Sequence, residues 1–334
     1  MKALITANFT AWGIKQLERY MEVIYQPWTE TNKIILSDQM AEKLKQLGAD
    51  ILILEVDLCH EEVFEQVDLK LVGVCRGDPL NVDVELATEK GVPVLYTPGR
   101  NAQAVADLTL GFMLCLARKI VPIHNLLVQG KYNPEDYKEY MEWYKQMTGM
   151  ELAGKIVGII GLGAIGRQVA KRLAGFDARI WAYDPFVPEE VFNRFQAERK
   201  SLEEIFSKAD FITLHLPLND ETEGIITRQL LERIKPGAYF LNLARAELVD
   251  NQALLELLRE KKIAGAGIDV FLDEPPEPDN PFFQLDNVVV TPHIGGATKE
   301  VVEHQTEMLV RDILAWLEGK KPRYILNPQV LEAG

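Results

Sequence analysis

Residues able to move protons and hold carboxylates recur at matching places in the second half of the chain. Apolar runs at 211–215, 237–242, 264–268 and 288–291 read as buried strands, and each ends on polar residues. The first run ends at His215-Leu216-Pro217 and the second at Asn242-Leu243-Ala244-Arg245. The third ends at Asp269, with Glu274-Pro275 close behind, and the fourth at Pro292-His293-Ile294-Gly295-Gly296. Ligands on open α/β sheets bind beyond the carboxyl ends of the strands, so these side chains are expected along one edge. Histidine ordinarily titrates near neutrality, which suits it to accept and return a proton. Of the five histidines, His60 and His124 fall on helical surfaces or helix ends and His304 falls mid-helix. His293 is therefore the expected acid/base, with Gly295 and Gly296 leaving room for a substrate. Glu274 is the candidate to orient its imidazole and support the charged form. Arg245 could clamp a carboxylate in bidentate fashion and polarise the carbonyl beside it. Each has a plain rival reading: a loop histidine, a loop acid, a surface arginine.

The elements that must position them start at residue 155. Lys155-Ile156-Val157-Gly158-Ile159-Ile160 is an unbroken apolar strand of the parallel-sheet type. It runs into Gly161-Leu162-Gly163-Ala164-Ile165-Gly166, then a helix, then a strand ending on Asp184, 18 residues past the last glycine. Gly161 permits the tight turn, Gly163 lets backbone approach a pyrophosphate, and Gly166 lets the helix pack closely on the strand. The free N–H groups of the helix start, at Ala164 and Ile165, favour phosphate. Asp184 would accept hydrogen bonds from ribose hydroxyls and repel a 2′-phosphate, which selects NAD over NADP. A bare glycine motif is weak, but strand, helix and acid in register point to a dinucleotide. The chemistry then implied is hydride transfer, with the protein handling the proton. Asp269 could bind the nicotinamide carboxamide, although a turn aspartate is its rival, and His215 is expected on the adenosine side.

The rest of the chain bounds this reading. At 334 residues it is too long for one ordinary core, so two domains are expected. A net charge of −14 argues against nucleic acid or an anionic membrane as a general partner, while local arginines still admit an anionic substrate. Cys59, Cys75 and Cys115 have no metal-type spacing and read as reduced thiols of a cytoplasmic protein; no metal is expected. The N-terminus reads as a first strand, and no apolar run approaches the roughly 18 residues of a membrane span.

Residues 1–100 alternate candidate strands (2–6, 22–25, 51–54, 71–75, 92–95) with helices, the pattern of a small parallel α/β domain. Asn101–Lys119 reads as one helix, apolar around most of its circumference and so expected to lie buried between domains or subunits. In 129–150, Tyr132, Tyr137, Tyr140, Trp143 and Tyr144 interleave with charged residues, as at a protein interface or a surface packing arm. A last helix, 298–318, is expected to return to the first domain. The predicted organisation is a doubly wound substrate domain, 1–100 plus 297–334, with a second doubly wound domain, 101–296, inserted. The insertion is expected to leave a cleft, the favoured place for a small-molecule site.

These residues resemble the D-isomer-specific 2-hydroxyacid dehydrogenases, which include phosphoglycerate dehydrogenases and glyoxylate/hydroxypyruvate reductases. The resemblance rests on Thr97-Pro98-Gly99-Arg100-Asn101 entering Ala104-Val105-Ala106-Asp107, and on Glu151-Leu152-Ala153-Gly154-Lys155 leading into the glycine motif. It rests also on His215-Leu216-Pro217 with Thr222, Asn242-Leu243-Ala244-Arg245, Asp269-Val270-Phe271 with Glu274-Pro275, and Thr291-Pro292-His293. It implies two Rossmann-like domains, the substrate lobe flavodoxin-like, and a homodimer built around the NAD lobes. It also implies Arg245 as substrate clamp, Glu274–His293 as the acid/base pair, and cofactor contacts at Leu216, Pro217, Thr222, Leu243, Gly295 and Gly296. Three departures stand out. The loop Cys75-Arg76-Gly77-Asp78-Pro79-Leu80-Asn81-Val82-Asp83 replaces a glycine-richer segment, Ala246 stands where glycine follows the arginine, and Asp107 where glutamate is usual. The loop bears on substrate choice, since its backbone, at Arg76 and Gly77, would meet the substrate carboxylate. Arg76, with Arg100 nearby, could bind a second acid, a phosphate or a hydroxyl of a polyol acid. No regulatory domain is expected after residue 334, and hence no control by serine. A phosphoglycerate dehydrogenase-like activity, a glyoxylate/hydroxypyruvate reductase and an NAD-sensing scaffold like the C-terminal-binding-protein corepressors are the readings carried forward.

Overall fold

Short apolar runs flanked by amphipathic segments bury both faces of a strand, and here they build two parallel sheets. The computed structural model describes residues 1–332. The chain divides into two units, one holding Met1–Arg100 with the residues from Thr298 on, the other Asn101–Ala297.

The first unit opens with β1 (Lys2–Ile5), α1 (Ala11–Leu17), β2 (Glu22–Tyr25), α2 (Trp28–Thr31), α3 (Ser37–Leu47) and β3 (Ile51–Leu54). It continues through α4 (Glu61–Gln66), β4 (Leu71–Val74), α5 (Val84–Glu89) and β5 (Val94–Tyr96). All neighbours pair in parallel, in the order β2-β1-β3-β4-β5, the flavodoxin-like arrangement.

The second unit begins with α6 (Ala102–Ala117), α7 (Ile120–Val128), α8 (Tyr137–Met147), β6 (Ile156–Ile160), α9 (Ala164–Ala174) and β7 (Arg179–Tyr183). There follow α10 (Glu189–Arg194), β8 (Ala197–Arg199), α11 (Leu202–Lys208), β9 (Phe211–Leu214) and α12 (Arg228–Leu231). It ends with β10 (Tyr239–Asn242), α13 (Asn251–Arg259), β11 (Gly265–Ile268) and β12 (Val288–Val290). Its seven parallel strands run β12-β11-β10-β9-β6-β7-β8. The chain leaves β6 on one side through β7 and β8 and on the other through β9 to β12. The strand order therefore reverses beside β6, which is where such sheets bind nucleotides.

The last helix, α14 (Lys299–Leu317), belongs to the first unit, where Leu309, Val310 and Ile313 join the core formed by Ala3, Ile5, Ile51 and Ile53. Asn327 ties the chain beyond it to the sheet, accepting from Val94 N at 2.8 Å and donating to Val92 O at 2.8 Å.

The structure departs from expectation in five elements and one role. β8, α2, α7, α8 and α10 are not expected from the sequence: β8 buries only Ala197, α2 and α10 are short, α7 contains Pro122, and α8 buries none of its residues. The role concerns α6. Its apolar surface was expected to lie between domains or subunits, but Val105, Phe112, Met113 and Leu116 are absorbed by the second unit's own core. Gly265 and Gly267 of β11 make that possible, since a Cβ on Gly267 would stand 2.6 Å from the Phe112 ring. Asp107 clasps α9 from the same helix, accepting from Arg172 Nε at 2.5 Å.

Candidate active site

Because all seven strands of the second unit are parallel, the residues after them share its carboxyl edge. Reading along the sheet, these are His293 after β12, Asp269 and Glu274 after β11, Arg245 after β10, His215 after β9, the glycine loop after β6 and Asp184 after β7.

The glycine loop fits a dinucleotide. Gly161 lies at φ +95°, and a Cβ there would sit 2.6 Å from His215 O; one on Gly166 would strike Gly161 O. In front of Gly163 there is open space, with nothing within 4 Å of a built Cβ. Gly163 caps α9 without a side-chain bond, so the first-turn amides of Ala164, Ile165 and Gly166 have no partner within the helix. Asp184 is more committed than its motif suggests. Its carboxylate accepts from Leu162 N at 2.9 Å, Phe186 N at 3.0 Å and Val187 N at 3.2 Å, tying the loop to the end of β7. A carboxylate offers about four acceptor positions, so one remains for a ribose hydroxyl. Arg199, the cation beside it, stacks 4.1 Å over Phe192 and donates to Glu189 at 3.0 Å.

Two of the expected cofactor contacts spend their side-chain polar atoms on neighbouring protein groups. The His215 ring is buried, with Nε2 3.0 Å from Thr213 Oγ1 and Nδ1 without a partner. Burial pushes its pKa from 6.5 down to about 3, so the ring is neutral. What His215 gives the loop is its backbone, beneath Gly161. Thr222 likewise uses its hydroxyl locally, donating to Pro217 O at 2.7 Å and accepting from Asn219 N at 2.9 Å. Leu243 is buried, while Leu216 is half-buried and Pro217 exposed at the loop surface.

The acid/base candidates are in contact. His293 Nδ1 lies 2.6 Å from Glu274 Oε2, and Glu274 Oε1 accepts from Phe271 N at 3.2 Å. Both side chains keep a solvent face, at 42% and 37% exposure, as groups that meet a substrate must. His293 sits in the left-handed region at φ 57°, uncommon for a residue with a Cβ. Asp269 holds it there. With 1% exposure, Asp269 accepts His293 N on its backbone oxygen at 2.7 Å. Its carboxylate accepts Thr291 Oγ1 at 2.5 Å, Ile294 N at 2.8 Å and Gly295 N at 2.8 Å. The turn-aspartate rival is thus real, with one acceptor position left for a carboxamide. Gly295 also has a structural reason: a Cβ would stand 2.9 Å from Asp269 Oδ2, so its absence makes room for that carboxylate.

Arg245 is the one half-exposed residue in the buried run 241–246. Its guanidinium makes one hydrogen bond, Nη1 to Ala244 O at 2.7 Å, leaving four of its five N–H donors for a ligand. Asn242, quoted in the motif but not singled out, fixes that turn by donating to Arg245 O at 2.8 Å and accepting from Ala244 N at 3.0 Å. Buried asparagine at a strand end was the available signal.

Arg76 and Gly77 stand in the first unit, after β4. Arg76 is half-buried and its carbonyl accepts from Thr97 N at 2.9 Å. Among the described residues there is no cluster of three or more His, Cys, Asp or Glu able to hold a metal, and no helix long and apolar enough to cross a membrane.

An NAD-type loop, an unpaired arginine and a carboxylate-backed histidine on one parallel-sheet edge define a nicotinamide-dependent oxidoreductase. Residues 110–295 match the model for the D-isomer specific 2-hydroxyacid dehydrogenase NAD-binding domain, and the chain belongs to that family. Similar proteins include YoaD of Bacillus subtilis (strain 168), whose name places it among 2-hydroxyacid dehydrogenases. It is 41% identical over 100% of this chain and 96% of its own length. A glyoxylate reductase of Pyrococcus furiosus is 36% identical over 99% of this chain and 96% of its own. A D-3-phosphoglycerate dehydrogenase of Methanocaldococcus jannaschii is 37% identical over 98% of this chain, which spans 59% of that enzyme. Among solved structures, the TT0316 protein of Thermus thermophilus is 34% identical, with a TM-score of 0.82 over 98% of this chain and 100% of its own.

Proposed function

We propose that this chain is an NAD-dependent oxidoreductase interconverting a D-2-hydroxy acid and its 2-keto acid. The observation that carries the reading is the 2.6 Å Glu274–His293 contact on the same sheet edge as the open glycine loop. Bound nicotinamide supplies the hydride donor or acceptor. His293 takes the hydroxyl proton in oxidation and returns it in reduction. Glu274 at Nδ1 turns Nε2 toward the substrate and supports the imidazolium. Arg245 holds the substrate carboxylate through its unused donors and polarises the neighbouring carbonyl. The first unit acts as the substrate domain, with Arg76 and Gly77 toward the substrate. Asp184 favours NAD over NADP, and Arg199, engaged by Phe192 and Glu189, is not placed to greet a 2′-phosphate.

The active form is a homodimer formed through the second unit. Supporting this, α7 buries none of its residues, and Leu127 and Val128 on α7 and Tyr137 and Tyr144 on α8 are exposed. Three free cysteines suit a cytoplasmic protein. Nothing observed favours the corepressor-like alternative. The test is NAD⁺ reduction with paired D- and L-2-hydroxy acids: turnover confined to D isomers is expected, and turnover of L isomers alone would refute the reading.

A further inference from the structure

The carboxyl edge of the first unit's sheet carries Asn8 after β1, Glu55 after β3, Arg76 and Asp78 after β4, and Arg100 after β5. On sequence grounds Arg76 and Arg100 admit a second acid, a phosphate or a hydroxyl at the far end of a substrate. The surroundings of Arg100 narrow that choice. Its Nη1 donates to Glu55 Oε1 at 2.9 Å and also to Gln305 Oε1. Glu55, only 8% exposed, further accepts from Trp28 Nε1 at 3.0 Å, Asn8 N at 3.2 Å and Gln305 Nε2 at 3.5 Å. Gln305, fully buried on α14, donates to Asn8 O at 2.6 Å and so locks the network. Glu55 is therefore a fixed, ionic partner built into the fold. It neutralises Arg100 where it stands, in surroundings where water screens the pair poorly.

Two consequences follow for a ligand. Arg100 still has Nε and Nη2 donors in no hydrogen bond, and they call for an oxygen acceptor. The local charge does not call for an anion: Glu55 is paired with Arg100, and Asp78 follows Arg76 two residues on in the same loop. A phosphate or second carboxylate would shed its water without gaining net positive charge, whereas a hydroxyl needs only the donors.

We propose that Glu55 is a specificity-determining residue that makes this edge take 2-keto acids ending in an uncharged hydroxyl and reject those ending in phosphate or a second carboxylate. This rests on the reading above, that the chain reduces 2-keto acids and that the first unit meets the substrate.

The experiment is the kcat/KM of the purified protein with NADH and three substrates. Glyoxylate has no far end, hydroxypyruvate ends in a hydroxyl, and phosphohydroxypyruvate ends in a phosphate. Wild type is expected to prefer hydroxypyruvate over phosphohydroxypyruvate by about 100-fold or more. Glu55→Gln, which leaves Arg100 uncompensated, is expected to shrink that ratio by about tenfold through gain on the phosphate ester. Asp78→Asn, half-buried in the loop after β4 and outside the Glu55–Arg100–Gln305 hydrogen bonds, is expected to shrink it by about two- to threefold, and decides the matter should Glu55→Gln fail to fold. Equal or better use of phosphohydroxypyruvate by wild type, or an unchanged ratio in the variants that fold, overturns the assignment of Glu55. In that case glyoxylate turnover would still leave the oxidoreductase reading standing. Failure on all three substrates with NADH bound would sink both.

Discussion

In the proposed mechanism His293 shows how much of the chemistry rests on single side chains. Nδ1 is turned to Glu274, so Nε2 is the nitrogen left for a substrate, and removing the carboxylate releases that orientation. Glu274→Gln should lower kcat by at least about tenfold with little change in NADH affinity, measured by initial rates and quenching of protein fluorescence. In the proposed function Asp184 acts on the other end of the cofactor. Asp184→Ala should move the NADH-to-NADPH preference in kcat/KM by about tenfold toward NADPH, and an unmoved preference would count against its role. His215 affects stability instead. Its folded pKa is pulled from 6.5 to about 3, so between those values the unfolded chain holds a proton that the folded chain does not. Stability is thus lost as pH falls through 6.5 toward 3, at up to about 1.4 kcal/mol per pH unit. Urea unfolding at pH 7 and pH 5 should show wild type losing about 2 kcal/mol more than His215→Asn; parallel losses would contradict the buried, neutral ring.

At the scale of elements, the loop after β12 that carries His293 is held from outside itself. The Asp269 carboxylate receives two backbone amides and a threonine hydroxyl, and only an all-acceptor group can do so. Asp269→Asn would set an amide N–H against a backbone N–H. It should cost about 1–3 kcal/mol by denaturant unfolding and lower kcat through the displaced His293. The sequence-level signals were strong where an element is long and buried. The runs at β3, β4, β6 and β9 and the strand–glycine–helix start of α9 were legible because both faces of each strand are covered. β8 was not, since Glu198 and Arg199 leave it one buried residue at a sheet edge. Nor was α7, whose start follows a left-handed Lys119 and whose Pro122 reads as a break. Among the candidate site residues, the positions at strand ends of those with charge were legible. The inward turn of His215, the purpose of Gly295 and the pairing of Arg100 with Glu55 were not, because each depends on what a neighbouring strand presents.

Across the whole molecule, one chain runs out through a flavodoxin-like unit, builds a second doubly wound unit, and returns as α14 to finish the first. Each sheet offers polar residues at its carboxyl edge, with opposite specialisation. The second unit exposes an arginine with most donors unused, while the first neutralises Arg100 internally. The exposed apolar surface of α7 and α8 belongs to this scale as well. Sedimentation should give a dimer, and Val128→Glu with Tyr144→Glu should shift it toward monomer; a monomeric wild type would contradict the proposed assembly. The most direct test of the central claim is NADH oxidation with glyoxylate and hydroxypyruvate by wild type and His293→Ala, each first shown to bind NADH. Wild type should turn over both acids and His293→Ala should be slower by about 10²–10⁴-fold. Near-normal turnover by His293→Ala, or none by wild type, would contradict it.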